Sequence, residues 1–140
     1  DLVIGAVLVA GDRAPVIVDR SMLATMHEGA VMVDISIDQG GCFETSRETT
    51  HRDPTYVVDG IVHYAVGNIP GSVPHTSSRA LSNATLPYVH VLADGLASAV
   101  VARPELVPGI NVAAGELTNA AVAHGLGMDA TDPHTVLSLG

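Results

Sequence analysis

Hydrophobic residues follow two different patterns in the first part of the chain. Residues 2–9 are apolar without interruption, which is typical of a parallel β-strand covered on both faces. Residues 31–38 alternate instead, which predicts a second strand whose side chains point to opposite faces. One predicted face carries Val31, Val33, Ile35 and Ile37, and the other carries Met32, Asp34, Ser36 and Asp38.

Shorter elements are predicted around these strands. Residues 56–58 and 61–66 flank Asp59-Gly60, a pair typical of a two-residue hairpin turn. Between the first two strands, Asp19 or Ser21 can cap a short helix that ends at Gly29. Its inward-facing residues would be Met22, Leu23 and Met26.

The second half of the chain has helical periodicity. A helix is predicted from Thr76 or Ser77, and alanine-rich helices are predicted around 96–102 and 117–124. Gly125 is interpreted as the end of the last of these helices. The order strand, helix, strand, strand and then helices predicts an α/β fold, the back half of a sheet followed by a helical segment.

Composition narrows the classes of function. Charged residues make up only 15% of the chain, against about 25% in average domains, which argues against a disordered protein. All six basic residues are arginines, so lysine chemistry is excluded. The net charge of −9 argues against nucleic-acid binding. No apolar run approaches the about 18 residues of a membrane helix, so we expect a soluble, cytoplasmic protein.

Two loops at strand ends carry the candidate chemistry. Asp38 is followed by Gly40 and Gly41, and ligands of open α/β sheets lie beyond the carboxyl ends of the strands. Asp38 is therefore either a site carboxylate or a surface aspartate in a glycine turn. Asn68, in the loop 67–71, either offers its amide to a ligand or belongs to a plain chain reversal. Asp34 is interpreted as a buried structural acid, with a position facing a cleft as the alternative.

The sequence gives less support to other kinds of functional site. The seven histidines never show the i, i+4 spacing of a helical metal site, and we expect no metal. The single cysteine, Cys42, excludes a disulfide framework and is interpreted as a packing residue. Residues 125–130 match G-x-G-x-x-G/A but follow a helix, so they are not read as a dinucleotide site.

Four blocks of sequence together resemble the C-terminal part of bacterial alanine dehydrogenase. They are DLVIGAVLV at 1–9, VDISIDQGGCFETSR at 33–47, HYAVGNIPG at 63–71 and LSNATLPYV at 81–89. The resemblance implies NAD-dependent oxidative deamination of L-alanine to pyruvate and ammonium, in a homohexamer. It also implies that residues 1–70 form the C-terminal half of a Rossmann-type NAD-binding domain, and that residues 71–140 form a helical return segment of the substrate domain.

The resemblance further implies the site residues. Asp38 matches the family's catalytic aspartate, which assists proton movement at the amine and the attacking water. The positions that match residues lining NAD are Val7, Leu8, Ile35, Ser36, Ile37, Asp38, Arg47, Val66, Gly67, Asn68 and Ile69. Gly67 and Ile69 replace the alanine and methionine that are common in the family.

Other family features lie upstream of the matched region, including the lysine and histidine that bind substrate and the glycine-rich loop. We therefore expect the chain to be part of a longer protein and to be inactive alone. Two alternatives remain open at this point. One is the nucleotide-binding subunit of a proton-translocating transhydrogenase, and the other is a non-catalytic module that docks onto a complementary N-terminal chain through its open sheet edge.

Overall fold

The computed structural model of the chain describes residues 1–138. It divides into two compact units, Asp1–Val73 and a second unit that begins at Pro74. All residues of the two strand-end loops belong to the first unit.

The first unit is built on a four-stranded sheet. Its strands are β1 (Leu2–Gly5), β2 (Val31–Asp34), β3 (Thr55–Val58) and β4 (Ile61–Tyr64), in the order β1-β2-β4-β3. The strands β1, β2 and β4 are parallel, and β3 pairs antiparallel with β4. The α/β fold with a parallel sheet is thereby confirmed.

The predicted hairpin is also confirmed. Asp59 and Gly60 connect β3 to β4 with φ angles of 51° and 80°. Two consecutive positive φ angles characterise the turn type whose twist matches that of the flanking strands.

Both predicted long strands end earlier than the hydrophobic pattern suggests. The strand β1 ends at Gly5 and β2 ends at Asp34. A 3₁₀ helix, Ile35–Gln39, follows β2 because an Asp34 carboxylate oxygen accepts a hydrogen bond from the Ser36 N–H at 2.9 Å. The prediction that Asp34 and Asp38 share a strand face is therefore wrong: Asp34 is buried and Asp38 is exposed.

A one-turn helix, α1 (Arg20–Leu23), lies between β1 and β2 and is capped by Asp19. Leu23 is buried as predicted, but Met22 is 46% exposed because a single turn presents only one side chain to the core. The core around Leu23 also contains Ala14, Ala30, Met32, Cys42, Phe43 and Ile61.

The strand β1 lies at one edge of the sheet. Leu2 and Ile4 are 59% and 57% exposed, so the described residues do not cover both faces of β1 as the apolar run predicts. Gly5, the last residue of β1, is buried against Cys42 and Phe43.

Alanine at Gly5 should destabilise the first unit by about 1–3 kcal/mol, because overpacking a filled core forces neighbours off their rotamers. A Cβ at Gly5 would lie 2.6 Å from Phe43 Cζ and would also collide with Cys42 Sγ. Urea denaturation measures the free energy of unfolding. Gly125→Ala is the control, since nothing lies within 4 Å of that Cβ. It should be neutral or stabilising, and an equal loss in both variants would contradict the packing argument.

The second unit is mainly helical, as predicted. It contains α2 (Pro74–Ala93), α3 (Leu96–Ala102), a 3₁₀ helix (Pro104–Gly109), the short strands β5 (Val112–Ala113) and β6 (Glu116–Leu117), α4 (Ala120–Leu126) and α5 (Pro133–Val136). Gly125 lies inside α4, so its predicted role as the helix end is wrong. Gly127, with φ of 65°, caps the helix instead.

A helix can span a membrane only if it is long and apolar enough. Within residues 1–138 no single helix is both long and apolar enough to span a bilayer. In this described part of the chain, only α2 and α3 taken together reach that length and hydropathy, and they are bent by 118°.

Candidate functional site

The three parallel strands end at the same edge of the sheet, and a strand-end loop follows each of them. The second and third of these loops contain the 3₁₀ helices Ile35–Gln39 and Ile69–Ser72. These loops contain ten of the eleven predicted cofactor-binding positions: Val7, Leu8, Ile35, Ser36, Ile37, Asp38, Val66, Gly67, Asn68 and Ile69. The carboxyl edge of a parallel sheet is where open α/β folds bind their ligands. The strand topology therefore gathers these positions at one edge.

Hydrogen bonds connect the three loops. The Ser36 hydroxyl donates to the Val7 carbonyl at 2.8 Å, which ties the loop after β2 to the loop after β1. The Asn68 backbone N–H donates to both Asp38 carboxylate oxygens, at 3.0 and 3.3 Å. The structure thus brings Asp38 and Asn68 into direct contact across 30 residues of sequence.

The Asn68 peptide is held on both sides. Its backbone is left-handed, with φ of 53° and ψ of 54°, a conformation that asparagine tolerates better than most residues. Its carbonyl accepts from the Gly71 N–H at 2.8 Å and lies 3.1 Å from His51 Nε2. This arrangement fixes the N–H that orients Asp38, while both Asp38 and Asn68 remain exposed. Sequence reasoning did not single out His51, whose position in a polar loop carries no spacing signal.

Asp34 is the structural acid that the sequence favours, and it faces no cleft. It is 1% exposed. One oxygen accepts from the Ser36 N–H and the Cys42 thiol, and the other accepts from the Cys42 N–H at 2.9 Å and the Ser46 hydroxyl at 2.5 Å. Four donors satisfy the buried carboxylate, which fixes both ends of the segment that carries Asp38.

The environment of Cys42 explains why its thiol is a packing group. The residue is fully buried, and its Sγ lies 3.4 Å from an Asp34 oxygen. Burial raises the pKa of the Cys42 thiol, and the negative charge of Asp34 raises it further. The neutral thiol is a poor nucleophile, so the interpretation as a packing residue is confirmed.

Arg47 lies against Tyr56. Its backbone N–H donates to the Tyr56 hydroxyl at 2.8 Å, and its guanidinium carbon lies 4.0 Å from the centre of the Tyr56 ring. The Arg47 side chain is exposed. These two contacts tie Arg47 to β3.

Burial divides the remaining predicted positions into three groups, of which the first, Val7, Gly67 and Ile69, is half-buried. Leu8 and Ile35 are 74% and 50% exposed, so their apolar side chains are accessible to a ligand. Ser36, Ile37 and Val66 are buried, so only their backbone could contact one. Among residues 1–138, no group of three or more His, Cys, Asp or Glu side chains could hold a metal ion.

Comparison with known proteins relates this arrangement to one family. The family model described as "Alanine dehydrogenase/PNT, C-terminal domain" matches residues 1–120. The alanine dehydrogenase of Halomonas elongata is 55% identical over 130 residues, which cover 92% of this chain and 35% of that protein. The alanine dehydrogenase of Mycobacterium tuberculosis is 52% identical, over 99% of this chain and 38% of that protein.

Solved structures give the same relationship. A structure of L-alanine dehydrogenase has a TM-score of 0.71 and 48% identity over 90% of this chain and 35% of its own. The transhydrogenase from Sinorhizobium meliloti shares the fold, with a TM-score of 0.55 at 22% identity over 86% of this chain and 32% of its own. The chain spans about a third of the length of these proteins. The resemblance predicted from the sequence is confirmed: the chain belongs to the alanine dehydrogenase/PNT family and corresponds to its C-terminal domain.

Proposed function

We propose that this chain supplies the sheet-edge part of the NAD site of an alanine dehydrogenase. The overall reaction converts L-alanine, NAD and water into pyruvate, ammonium, NADH and a proton. The observation that carries the proposal is the contact between Asp38 and the Asn68 N–H at the carboxyl edge of the parallel sheet. An oriented, accessible carboxylate at this edge supports the proposal, because open α/β folds bind their ligands beyond the carboxyl ends of the strands.

The residues proposed to line NAD fit it in chemical type. The exposed side chains of Leu8 and Ile35 offer apolar surface to a flat ring, and the exposed Arg47 guanidinium offers a positive charge to an anionic group. The loop 66–69 is proposed to contact the nicotinamide and its ribose through backbone groups and Asn68. When bound, NAD supplies the hydride acceptor.

Asp38 is proposed as the catalytic residue. Its two oxygens share the single Asn68 N–H, so each keeps lone pairs for the amine of the substrate or for the attacking water. The carboxylate can then accept a proton from one of these groups and return it to the departing ammonia. The Asn68 peptide keeps the carboxylate oriented through this exchange.

The proposed domain assignment follows from the same family. Residues 1–70 would complete an NAD-binding domain, and residues 71–140 would return to the substrate domain. The observed division between Val73 and Pro74 supports this boundary. We further propose a cytoplasmic homo-oligomer, in which alanine and pyruvate are the small-molecule ligands and nucleic acid and membrane play no part.

The exposed edge strand β1 favours a further segment of protein that packs against it. The strand β1 lies at the edge of the sheet, and an open edge is normally paired or covered. The apolar residues Leu2 and Ile4, on one face of β1, are also more than half exposed. A complementary N-terminal segment, in the same chain or a separate one, would cover it. Isolated residues 1–140 are therefore proposed to be catalytically inactive.

Two measurements test the proposed function. The gene product, meaning here this chain together with the N-terminal segment that completes it, should produce NADH absorbance when mixed with NAD and alanine, while isolated residues 1–140 should produce none. Calorimetric titration with NAD should show saturable binding to the gene product. A gene product that binds NAD but does not deaminate alanine would contradict the reaction. A gene product that binds no NAD would support the non-catalytic docking module.

A further inference from the structure

Tyr56 is a buried residue of β3 with two separate contacts to Arg47. Its hydroxyl accepts from the Arg47 N–H at 2.8 Å and donates to the Thr45 carbonyl at 2.9 Å. Its ring lies beneath the Arg47 guanidinium, 4.0 Å from ring centre to Cζ. One side chain thus holds both the backbone and the charged end of Arg47.

Tyr56 is itself fixed by the sheet. It pairs with His63 across β3 and β4, and the two rings stack at 5.0 Å with 23° between their planes. His63 is 1% exposed, with Nε2 2.8 Å from the Thr45 hydroxyl and Nδ1 3.0 Å from the Ile61 carbonyl. Groups anchored in a sheet hold a site more precisely than groups in a loop.

The protonation state of Tyr56 allows its hydroxyl to make both hydrogen bonds. Burial raises the pKa of the Tyr56 hydroxyl above its usual value. The hydroxyl therefore keeps its proton near neutral pH, so it can donate to Thr45 while it accepts from Arg47.

The geometry has a consequence for ligand binding. A free arginine side chain loses much rotamer freedom when a ligand immobilises it. A guanidinium stacked on an aromatic face is already restricted, yet its N–H groups lie at the edge of the plane and remain available. Restricting a binding group before the ligand arrives increases affinity.

We propose that Tyr56 is a positioning residue for nucleotide binding, which holds the Arg47 guanidinium ready for an anionic group of the cofactor. The inference rests on the proposed function, in which Arg47 contacts NAD. Tyr56 acts through Arg47 and makes no contact with the cofactor itself.

A double-mutant cycle on the gene product tests this role, with the dissociation constant of NADH measured by fluorescence titration. Tyr56→Leu should weaken binding about 3- to 10-fold when Arg47 is present. In the Arg47→Ala background the same change should have less than about a 2-fold effect, because the group that Tyr56 positions is gone. Val57→Ala, at the neighbouring position that is 65% exposed, is the matched control and should leave binding unchanged.

Tyr56→Phe keeps the ring and removes only the hydroxyl, so it should weaken binding about 2- to 3-fold without unfolding the protein. It replaces Tyr56→Leu in the cycle if the leucine variant fails to fold. Equal weakening in both backgrounds, or no weakening with Arg47 present, would overturn the positioning role. If Arg47→Ala alone leaves binding unchanged, the proposed NAD contact of Arg47 fails instead. If the unchanged gene product binds no NADH, the proposed function fails as a whole.

Discussion

Asparagine in place of Asp38 should reduce kcat for alanine deamination by the gene product by about 10²- to 10⁴-fold, the range that a positioned proton-transfer group contributes. The amide oxygen of asparagine can still accept the Asn68 N–H, which donates to Asp38 at 3.0 Å. The loops therefore keep their contact, but the side chain can no longer take up a proton. NADH production at saturating NAD and alanine measures the rate.

The dissociation constant of NAD and a matched control variant show whether the loss of rate is specific to proton transfer by Asp38. The dissociation constant of NAD should change less than about 3-fold, because the amide preserves the hydrogen bond to Asn68. Asp53→Asn alters another exposed aspartate of the first unit and should retain the full rate. A rate for Asp38→Asn within about 3-fold of the unchanged protein would exclude Asp38 as the proton-transfer group.

The same variant separates two members of the family. A transhydrogenase subunit transfers hydride between nucleotides and needs no proton transfer at a substrate amine. In a transhydrogenase, Asp38→Asn should leave the hydride transfer intact. In an alanine dehydrogenase, the same change should almost abolish deamination. Loss of deamination alone therefore supports the dehydrogenase, and an unaffected hydride transfer without any deamination supports the transhydrogenase.

Much of the candidate site could be predicted from sequence because parallel strands align their carboxyl ends. Asp38 at the end of one predicted strand and Asn68 in the loop after another were enough to expect a shared edge. The end of β2 could not be predicted, since the alternation of apolar residues continues to Ile37. What ends the strand is the side chain of Asp34 bonding to the Ser36 N–H, a local competition that periodicity does not report.

Contacts between residues far apart in sequence are the second feature that the sequence pattern could not predict. The pattern of β3 predicts that Tyr56 alternates with its neighbours, but not that its ring lies between Arg47 and His63. The apolar run at 2–9 predicts burial, but it does not state which segment provides it. Leu2 and Ile4 show this, since the described residues leave them more than half exposed.

Alanine in place of Asp34 should destabilise the first unit by about 3–5 kcal/mol, a large part of the about 5–15 kcal/mol that stabilises a typical domain. The change would leave the N–H groups of Ser36 and Cys42 in the interior without their acceptor. Each unsatisfied buried donor costs about 1–3 kcal/mol. Urea unfolding with circular dichroism measures the free energy of unfolding.

Comparison with two other variants identifies the cause of that loss. Asp59→Asn removes the partner of Arg20 in an exposed ion pair of 2.9 Å, and it should cost less than about 1 kcal/mol. Ser46→Ala removes one donor to the Asp34 carboxylate and leaves no buried N–H or O–H without an acceptor. It should therefore lower the free energy of unfolding by about 1 kcal/mol. If Asp34→Ala were as mild as these two, the carboxylate would not be what holds the segment 34–46. Asp38 would then depend on the Asn68 N–H alone for its orientation, and the Asp34 variant should bind NAD as tightly as the unchanged protein.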